Sequence, residues 1–215
     1  MGVIIENLPT YWEGFRTTLL LLLVGGLGAS VIGGLVALLR ISPIGSLRAL
    51  GAIYTEVVRN TPLTLVFFFV IVVLPALQLG IDSLYGAFIA LSVYTSAFVA
   101  EAIRSGINGV PIGQAEAARS VGLTFGQTVF SVVLPQAMRM VVPPLINVFI
   151  ALTKNTSVAG GFIVFELFAA SKVLANANGD KVVPILLGVA AFYLLVTIPL
   201  GMIAGRIERK VAVLR

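Results

Sequence analysis

Two residue types are missing from the 215-residue chain, which contains no cysteine and no histidine. Without cysteine there are no disulfides, no thiolate zinc sites and no cysteine nucleophiles. Without histidine there is no Ser-His or Cys-His catalysis, no imidazole metal site and no histidine proton relay. The composition argues against most membrane-embedded hydrolases and metal transporters, and we expect neither catalytic nor metal-binding residues.

Charged residues are scarce as well, at 11% of the chain against about 25% in a soluble domain. Hydrophobic residues make up 59%, and the mean hydropathy is +1.08. The formal net charge is +5, but the basic residues are scattered singly instead of forming a nucleic-acid-binding patch. The composition therefore predicts an integral membrane protein whose surroundings are a lipid bilayer, with no nucleic-acid partner.

Windows that are largely free of charge predict a single all-α domain with five transmembrane helices. They cover about residues 17–39, 60–81, 83–104, 140–158 and 182–205. The window 120–138 is uncharged but rich in Gly, Thr, Ser and Gln, and is too polar to face lipid. We therefore assign it to a cytoplasmic loop of about residues 105–139.

The distribution of Lys and Arg predicts the orientation of the chain. With the N-terminus outside and the C-terminus inside, ten of the fourteen basic residues fall in the inner loops and in the tail that ends at Arg215. Basic residues collect on the cytoplasmic side of membrane proteins. This orientation is therefore the expected one.

Helix boundaries are marked by local signals. Thr61 before Pro62 predicts an N-cap and a first helical residue, opening the second span. Thr124 and Gln127 have the spacing of a capping box. Gly122 suits the end of a short helix over residues 112–121.

Small residues recur every four positions in the first span, on two adjacent faces. Such spacing lets helices approach closely in lipid, either within one subunit or at a seam between subunits, and the sequence leaves both alternatives open. The two stripes are Gly26, Ser30 and Gly34, and Ala29, Gly33 and Ala37.

The cytoplasmic loop carries a spaced pattern. Glu116-Ala117-Ala118 is followed by three residues, Gly122, nine residues and then Val132-Val133-Leu134-Pro135. The pattern resembles the EAA motif of ABC importer permeases, with Val132 in place of the usual isoleucine. Three further segments resemble the polar-amino-acid importers of this family, although Asn60 replaces a usual Gly and Val66 stands where many relatives have Gln: Arg59–Leu63, Ala100–Ile107 and Leu152–Ser157.

The resemblance implies a type I ABC importer permease fold with a cytoplasmic coupling helix, in the bacterial cytoplasmic membrane. It is greatest to the glutamate-importing branch, which implies glutamate or a close relative such as glutamine or aspartate as substrate. The residues that the motif implies for coupling to an ATPase are Glu116, Ala117, Ala118 and Gly122.

The resemblance also implies partner proteins. The chain has no Gly-x-x-x-x-Gly-Lys-Ser/Thr phosphate loop. We therefore expect no cofactor in this chain, and ATP-Mg bound by a partner ABC ATPase dimer. A second copy or a sister permease should complete the path, and an extracytoplasmic amino-acid-binding protein should deliver the substrate, with outer residues 175–181 as a candidate docking surface.

Polar residues inside the predicted spans are candidates for a substrate path, because charge at membrane depth is expensive. Lys154 shares a helix face with Asn147 and Asn155 and either attracts a substrate carboxylate or pairs with Glu101. Glu101 is either a substrate ligand or an anchor beside Arg104. The full candidate set is Tyr94, Glu101, Asn147, Lys154, Asn155 and Ser157.

Two other function classes stay open from the sequence. One is an ATP-independent secondary carrier, and the other is a membrane scaffold that transports nothing. A Ser-Lys hydrolase built on Ser157 and Lys154 has no other support in the sequence. Uptake into proteoliposomes would separate the classes, because a carrier needs neither an ATPase nor a binding protein.

Overall fold

The computed structural model describes residues 2–212, with side chains for residues 2–209. Arg215, counted above in the basic tail, lies outside the described residues. The described part of the chain consists of helices and turns and contains no strand. The all-helical prediction is confirmed.

Eleven α-helices, two π-helical segments and two 3₁₀ segments follow one another within residues 2–212. In chain order they are α1 Gly2–Glu6, α2 Leu8–Ile41, α3 Gly45–Asn60, α4 Leu63–Phe68, the π segment Phe69–Val73, α5 Leu74–Ala76, α6 Ser83–Asn108, α7 Ile112–Ser120, α8 Phe125–Gln127, the π segment Thr128–Val133, α9 Leu134–Asn155, the 3₁₀ segment Thr156–Gly161, α10 Leu167–Ala177, the 3₁₀ segment Gly179–Lys181, and α11 Val182–Ala212.

In the part of the chain that the structure describes, four helical stretches are long and apolar enough to cross a membrane: Leu8–Ile41, Ser83–Asn108, Phe125–Gly161 and Gly179–Arg209. A fifth candidate is the pair Gly45–Asn60 and Leu63–Ala76, whose axes meet at 99°. The predicted five spans are obtained when this bent pair counts as one.

The start of the second span differs from the prediction. Thr61 is not an N-cap: it ends α3, its backbone N–H bonds Val58 O, and its hydroxyl donates to Val57 O at 2.8 Å. Thr61 is extended because the following proline disfavours helical backbone at that position. Pro62 takes the N-cap position with ψ 135°, and the helix starts at Leu63. The segment before Thr61, which lies between the first two predicted spans, forms α3.

The polar window 120–138 is also helical over most of its length. From Phe125 the chain continues through α8, the π segment and α9 to Asn155. The loop is therefore residues 109–124 rather than 105–139, and the fourth long helix starts before residue 140. The capping box at Thr124 supplies the helix start, so the polar side chains that follow lie along the first turns of a long helix.

Helices α2 and α6 pack closely through one of the two small-residue stripes. Ala29, Gly33 and Ala37 are buried, and a Cβ on Gly33 would lie 2.6 Å from Val99 Cβ. This stripe therefore packs within the subunit. On the other stripe Gly26 contacts Phe149, Ser30 is exposed, and a Cβ added to Gly34 would have no heavy atom within 4 Å.

Candidate functional site

A cavity of about 420 Å³ lies between α6 and α9. Its α6 wall is formed by residues within about one helical turn, and its α9 wall follows the i, i+4, i+8 spacing of one helix face. Asn147 and Ala151 are exposed at its edge. The lining residues are Tyr94, Thr95, Phe98, Asn147, Val148, Ala151 and Asn155.

The polar groups of this cavity are all uncharged. The Tyr94 and Phe98 rings are in contact, with centroids 5.2 Å apart. The Thr95 hydroxyl is buried and has no hydrogen-bond partner among the described residues. A buried hydroxyl without a partner is unfavourable unless a ligand or water satisfies it. The amides of Asn147 and Asn155 on the cavity wall are able to hydrogen-bond a small polar molecule.

Three of the six candidate path residues line the cavity, and Lys154, Ser157 and Glu101 do not. Lys154 is exposed, next to the lining residue Asn155. The predicted pair of Lys154 with Glu101 does not form: within residues 2–209 the ion pairs of Glu101 are to arginines. Ser157 donates its hydroxyl to Lys154 O at 2.8 Å, as an ordinary helix-end contact.

Glu101 lies at the centre of three guanidinium groups. Arg40 pairs with Oε2, Arg104 with Oε1 at 3.2 Å, and Arg59 with Oε2 at 3.5 Å. The Arg59 guanidinium also lies 5.6 Å from the centroid of the Phe98 ring, which lines the cavity. One carboxylate with three cations anchors α2, α3 and α6 to one another and leaves positive charge beside the cavity.

The turn after α7 has the geometry that the motif glycine predicts. Leu123 N–H donates to Ala118 O at 3.2 Å and Gly122 N–H donates to Arg119 O at 3.0 Å, which is a Schellman pair. Gly122 has φ +90°, a conformation that favours glycine.

The predicted capping box follows directly. Thr124 N–H donates to Gln127 Oε1 at 2.9 Å, and Gln127 N–H donates to Thr124 Oγ1 at 3.3 Å. Helix α7 packs against the π segment that continues into α9. Two hydrogen-bonded caps and a packed contact therefore join α7 to the helix that continues into α9.

The four motif residues do not share one environment. Glu116 and Ala117 are exposed, whereas Ala118 is only 7% exposed and faces its own chain. The sequence analysis missed three large exposed apolar side chains around α7: Ile112, Val121 and Phe125, exposed by 77%, 78% and 75%. Their positions at the first residue of a polar helix, just after it and at the start of the next helix were the available signal.

Three further features were not predicted from the sequence. Thr95 and Val148 belong to the cavity wall but were not among the candidate path residues, since residues of their type are common in any span. Arg40 was counted only as a topology marker, although its side chain is 9% exposed and ion-paired. Glu166, a fully buried acid after the fourth span, was not singled out. A lone acid in an apolar stretch was a visible signal for it.

Comparisons with known proteins agree with this architecture. Residues 29–213 match the family described as "Binding-protein-dependent transport system inner membrane component". The chain is 39% identical over 210 residues to "Probable glutamine ABC transporter permease protein GlnM" of Bacillus subtilis (strain 168), covering 98% of this chain and 97% of that relative.

A second relative is "Glutamate transport system permease protein GluC" of Corynebacterium glutamicum, 38% identical over 219 residues, covering 96% of this chain and 94% of the relative. Among solved structures, "Crystal structure of an amino acid ABC transporter with histidines" matches with a TM-score of 0.88 and 28% identity over 96% of each chain. The family resemblance drawn from the motif is confirmed.

Proposed function

The chain belongs to the family of binding-protein-dependent transport system inner membrane components, and from this premise we propose that it is the permease subunit of an ATP-driven importer for a polar amino acid. The observation that carries the proposal is that one long helical stretch, Phe125–Gly161, both lines an uncharged cavity and packs near its start against the capped short helix α7. Relatives named as glutamine and glutamate permeases support it.

In this proposal α7 is the coupling helix. Its exposed Glu116 and Ala117, with the apolar side chains of Ile112, Val121 and Phe125, form the surface that a partner ABC ATPase dimer contacts. ATP-Mg is bound by that partner, and this chain supplies no catalytic group. Ala118 supports the surface from beneath, and Gly122 fixes the angle at which α7 is presented.

The cavity is the proposed place for the substrate. Its volume lies in the range of about 300–1,000 Å³ that is usual for small-molecule sites. Its exposed edge at Asn147 and Ala151 is where a second copy or a sister permease completes the path. An extracytoplasmic amino-acid-binding protein loads it from the side opposite α7, and residues 175–181 remain the candidate contact for that protein.

We assign glutamate as the first candidate substrate because two cations flank a neutral cavity. Arg59 contacts the lining residue Phe98, and exposed Lys154 adjoins Asn155. Positive charge at the edges of a low-dielectric cavity attracts an anion. Glutamine is the second candidate, because the lining amides and hydroxyls are themselves uncharged and suit an amide side chain. Aspartate is a shorter acid for the same site.

The proposed orientation is N-terminus outside and C-terminus inside, in a bacterial cytoplasmic membrane. The natural absence of cysteine makes this testable with single introduced thiols. A thiol at Ser83 should react with an impermeant reagent from outside. A thiol at Ser120 should react only after the membrane is opened, and the reverse pattern would refute the orientation.

The substrate is tested by ligand-stimulated ATP hydrolysis. The permease, its ATPase and its binding protein are reconstituted, and hydrolysis is measured with glutamate, glutamine, aspartate and an unrelated amino acid. We expect stimulation by glutamate at the lowest concentration. No response to any of these amino acids, with both partners bound, would favour the scaffold instead.

A further inference from the structure

The most buried acidic group of the described chain does not line the cavity and lies at the N-cap of α10. Glu166 is 0% exposed, and its carboxylate accepts hydrogen bonds from Phe168 N at 2.9 Å and Ala169 N at 2.7 Å. These bonds cap α10, as an acidic N-cap residue does. A capping role alone does not require burial, because exposed acids cap helices equally well.

The same carboxylate connects α10 to other helices. Tyr193 of α11 donates its hydroxyl to Glu166 Oε2 at 3.0 Å. The next residue, Leu167, donates its N–H to the Thr18 hydroxyl of α2 at 3.1 Å. Burial raises the pKa of the Glu166 carboxyl above its usual range, and the N–H donors of Phe168 and Ala169 oppose that rise by stabilising the ionised form.

The 3₁₀ segment Thr156–Gly161, which continues α9, is held against this carboxylate. A Cβ on Gly160 would collide with Glu166 Oε1, so only glycine allows the approach. Lys172 of α10 donates to Gly160 O at 3.0 Å and so bonds the segment to α10. We call Thr18, Gly160, Glu166 and Tyr193 the Glu166 bracket.

The bracket holds the end of the long helix that is opposite α7. From Phe125 to Asn155 this helix is about 45 Å long at 1.5 Å per residue. Asn147 of the cavity lies two turns before the far end of this helix, and Asn155 is its last residue. If the far end were free, a push at α7 would slide the whole helix. With the far end fixed, the push turns the helix about that point, so the cavity wall moves more at Asn147 than at Asn155.

We propose that the Glu166 bracket is the pivot of the α8–α9 lever, and that Glu166 and Tyr193 are positioning residues that convert displacement of α7 into movement of the cavity wall. The inference rests on the proposed function. A short 3₁₀ turn is frequent at the end of a long helix, and here it adjoins a buried carboxylate that hydrogen-bonds both α10 and α11.

The test compares Tyr193→Phe with Thr197→Val. The first removes only the hydroxyl through which Tyr193 of α11 bonds Glu166. The control removes a hydroxyl one turn further along α11 that bonds only Tyr193 O, at 3.1 Å. In proteoliposomes with ATPase and binding protein, we measure amino acid imported per ATP hydrolysed.

For Tyr193→Phe we expect the import-to-hydrolysis ratio to fall about ten-fold, the scale set by the loss of one hydrogen bond to a carboxylate, while Thr197→Val keeps the wild-type ratio. Parallel loss of import and hydrolysis with an unchanged ratio would mean a purely structural role and would overturn the pivot. No ATP-driven import by the wild type would overturn the proposed function and this inference together.

A second measurement does not depend on transport activity. Spin labels at introduced thiols on Arg16 and Gly161, both exposed, report the distance between α2 and the far end of the lever. The pivot requires that this distance stay constant between the ATP-free and ATP-bound complexes. If the distance between the labels at Arg16 and Gly161 changes by as much as the position of a label at Ala117, the pivot is refuted. If Tyr193→Phe does not assemble, Thr18→Val takes its place, and we expect it to broaden the distribution of the Arg16–Gly161 distance.

Discussion

Replacing Gly122 by Ala isolates the backbone angle at the end of α7. Gly122 has φ +90°, and an added Cβ would have no heavy atom within 4 Å, so the substitution introduces backbone strain without a steric clash. A left-handed backbone angle costs a non-glycine residue about 1–2 kcal/mol. A free-energy change of this size alters an equilibrium about 5- to 30-fold.

We expect Gly122→Ala to lower import and substrate-stimulated ATP hydrolysis by about 5- to 30-fold, because α7 no longer keeps its angle to α8. Gly122→Asn should lose less, since asparagine tolerates positive φ better than alanine. Gly126→Ala is the matched control: Gly126 also has open space around it, and its φ is not positive. Gly122→Ala and Gly126→Ala should both insert and purify with the ATPase as the wild type does.

The reasoning is wrong if Gly122→Ala and Gly126→Ala behave alike in import and in stimulated hydrolysis. It is equally wrong if Gly122→Ala transports normally, because the strained turn would then have no part in coupling. Purified yield and thermal unfolding of each variant separate a coupling defect from poor folding.

Three further predictions concern the coupling surface and the cavity. Ala117→Trp should abolish import while the permease folds normally, because Ala117 is exposed. Ala118→Trp should instead destabilise the permease by about 1–3 kcal/mol, because Ala118 is buried and an indole overpacks its site. Thermal unfolding and import of both variants are measured, and equal behaviour of the two would contradict this prediction. Asn155→Leu should raise the KM for import about ten-fold with little change in ATPase binding, because it removes an amide from the cavity wall; an unchanged KM would exclude the cavity as the substrate site. Lys154→Met should raise the KM for glutamate more than that for glutamine, since Lys154 supplies charge and not a lining contact; equal changes in competition assays would refute this assignment.

The parts of the fold that the sequence predicts are those decided by neighbours in the chain. Thr124 and Gln127 satisfy each other three residues apart, and Gly122 is required by its own backbone angle. Helix α6 begins at Ser83, where the uncharged window begins, because Asp82 accepts the N–H of Leu84. Long apolar windows likewise predict helices because the backbone must satisfy its own hydrogen bonds in lipid.

Contacts between distant segments decide the rest. The sequence offered Lys154 as a partner for Glu101, but the fold brings Arg40 and Arg59 there instead. Ala117 and Ala118 are identical in type, and only the packing of α7 on the π segment makes one exposed and the other buried. The bend between α3 and α4 depends on Pro62, whose effect as a cap or as a first helical residue cannot be told from spacing alone.

The central claim is that this chain imports an amino acid with energy from a separate ATPase. The most direct measurement is uptake of radiolabelled glutamate into proteoliposomes that contain the permease and its ATPase, with loaded binding protein outside and ATP-Mg enclosed. We expect accumulation above the external concentration that requires enclosed ATP and binding protein, and that is about 5- to 30-fold lower in Gly122→Ala. Equal uptake without ATP under an imposed ion gradient would contradict it and identify a secondary carrier.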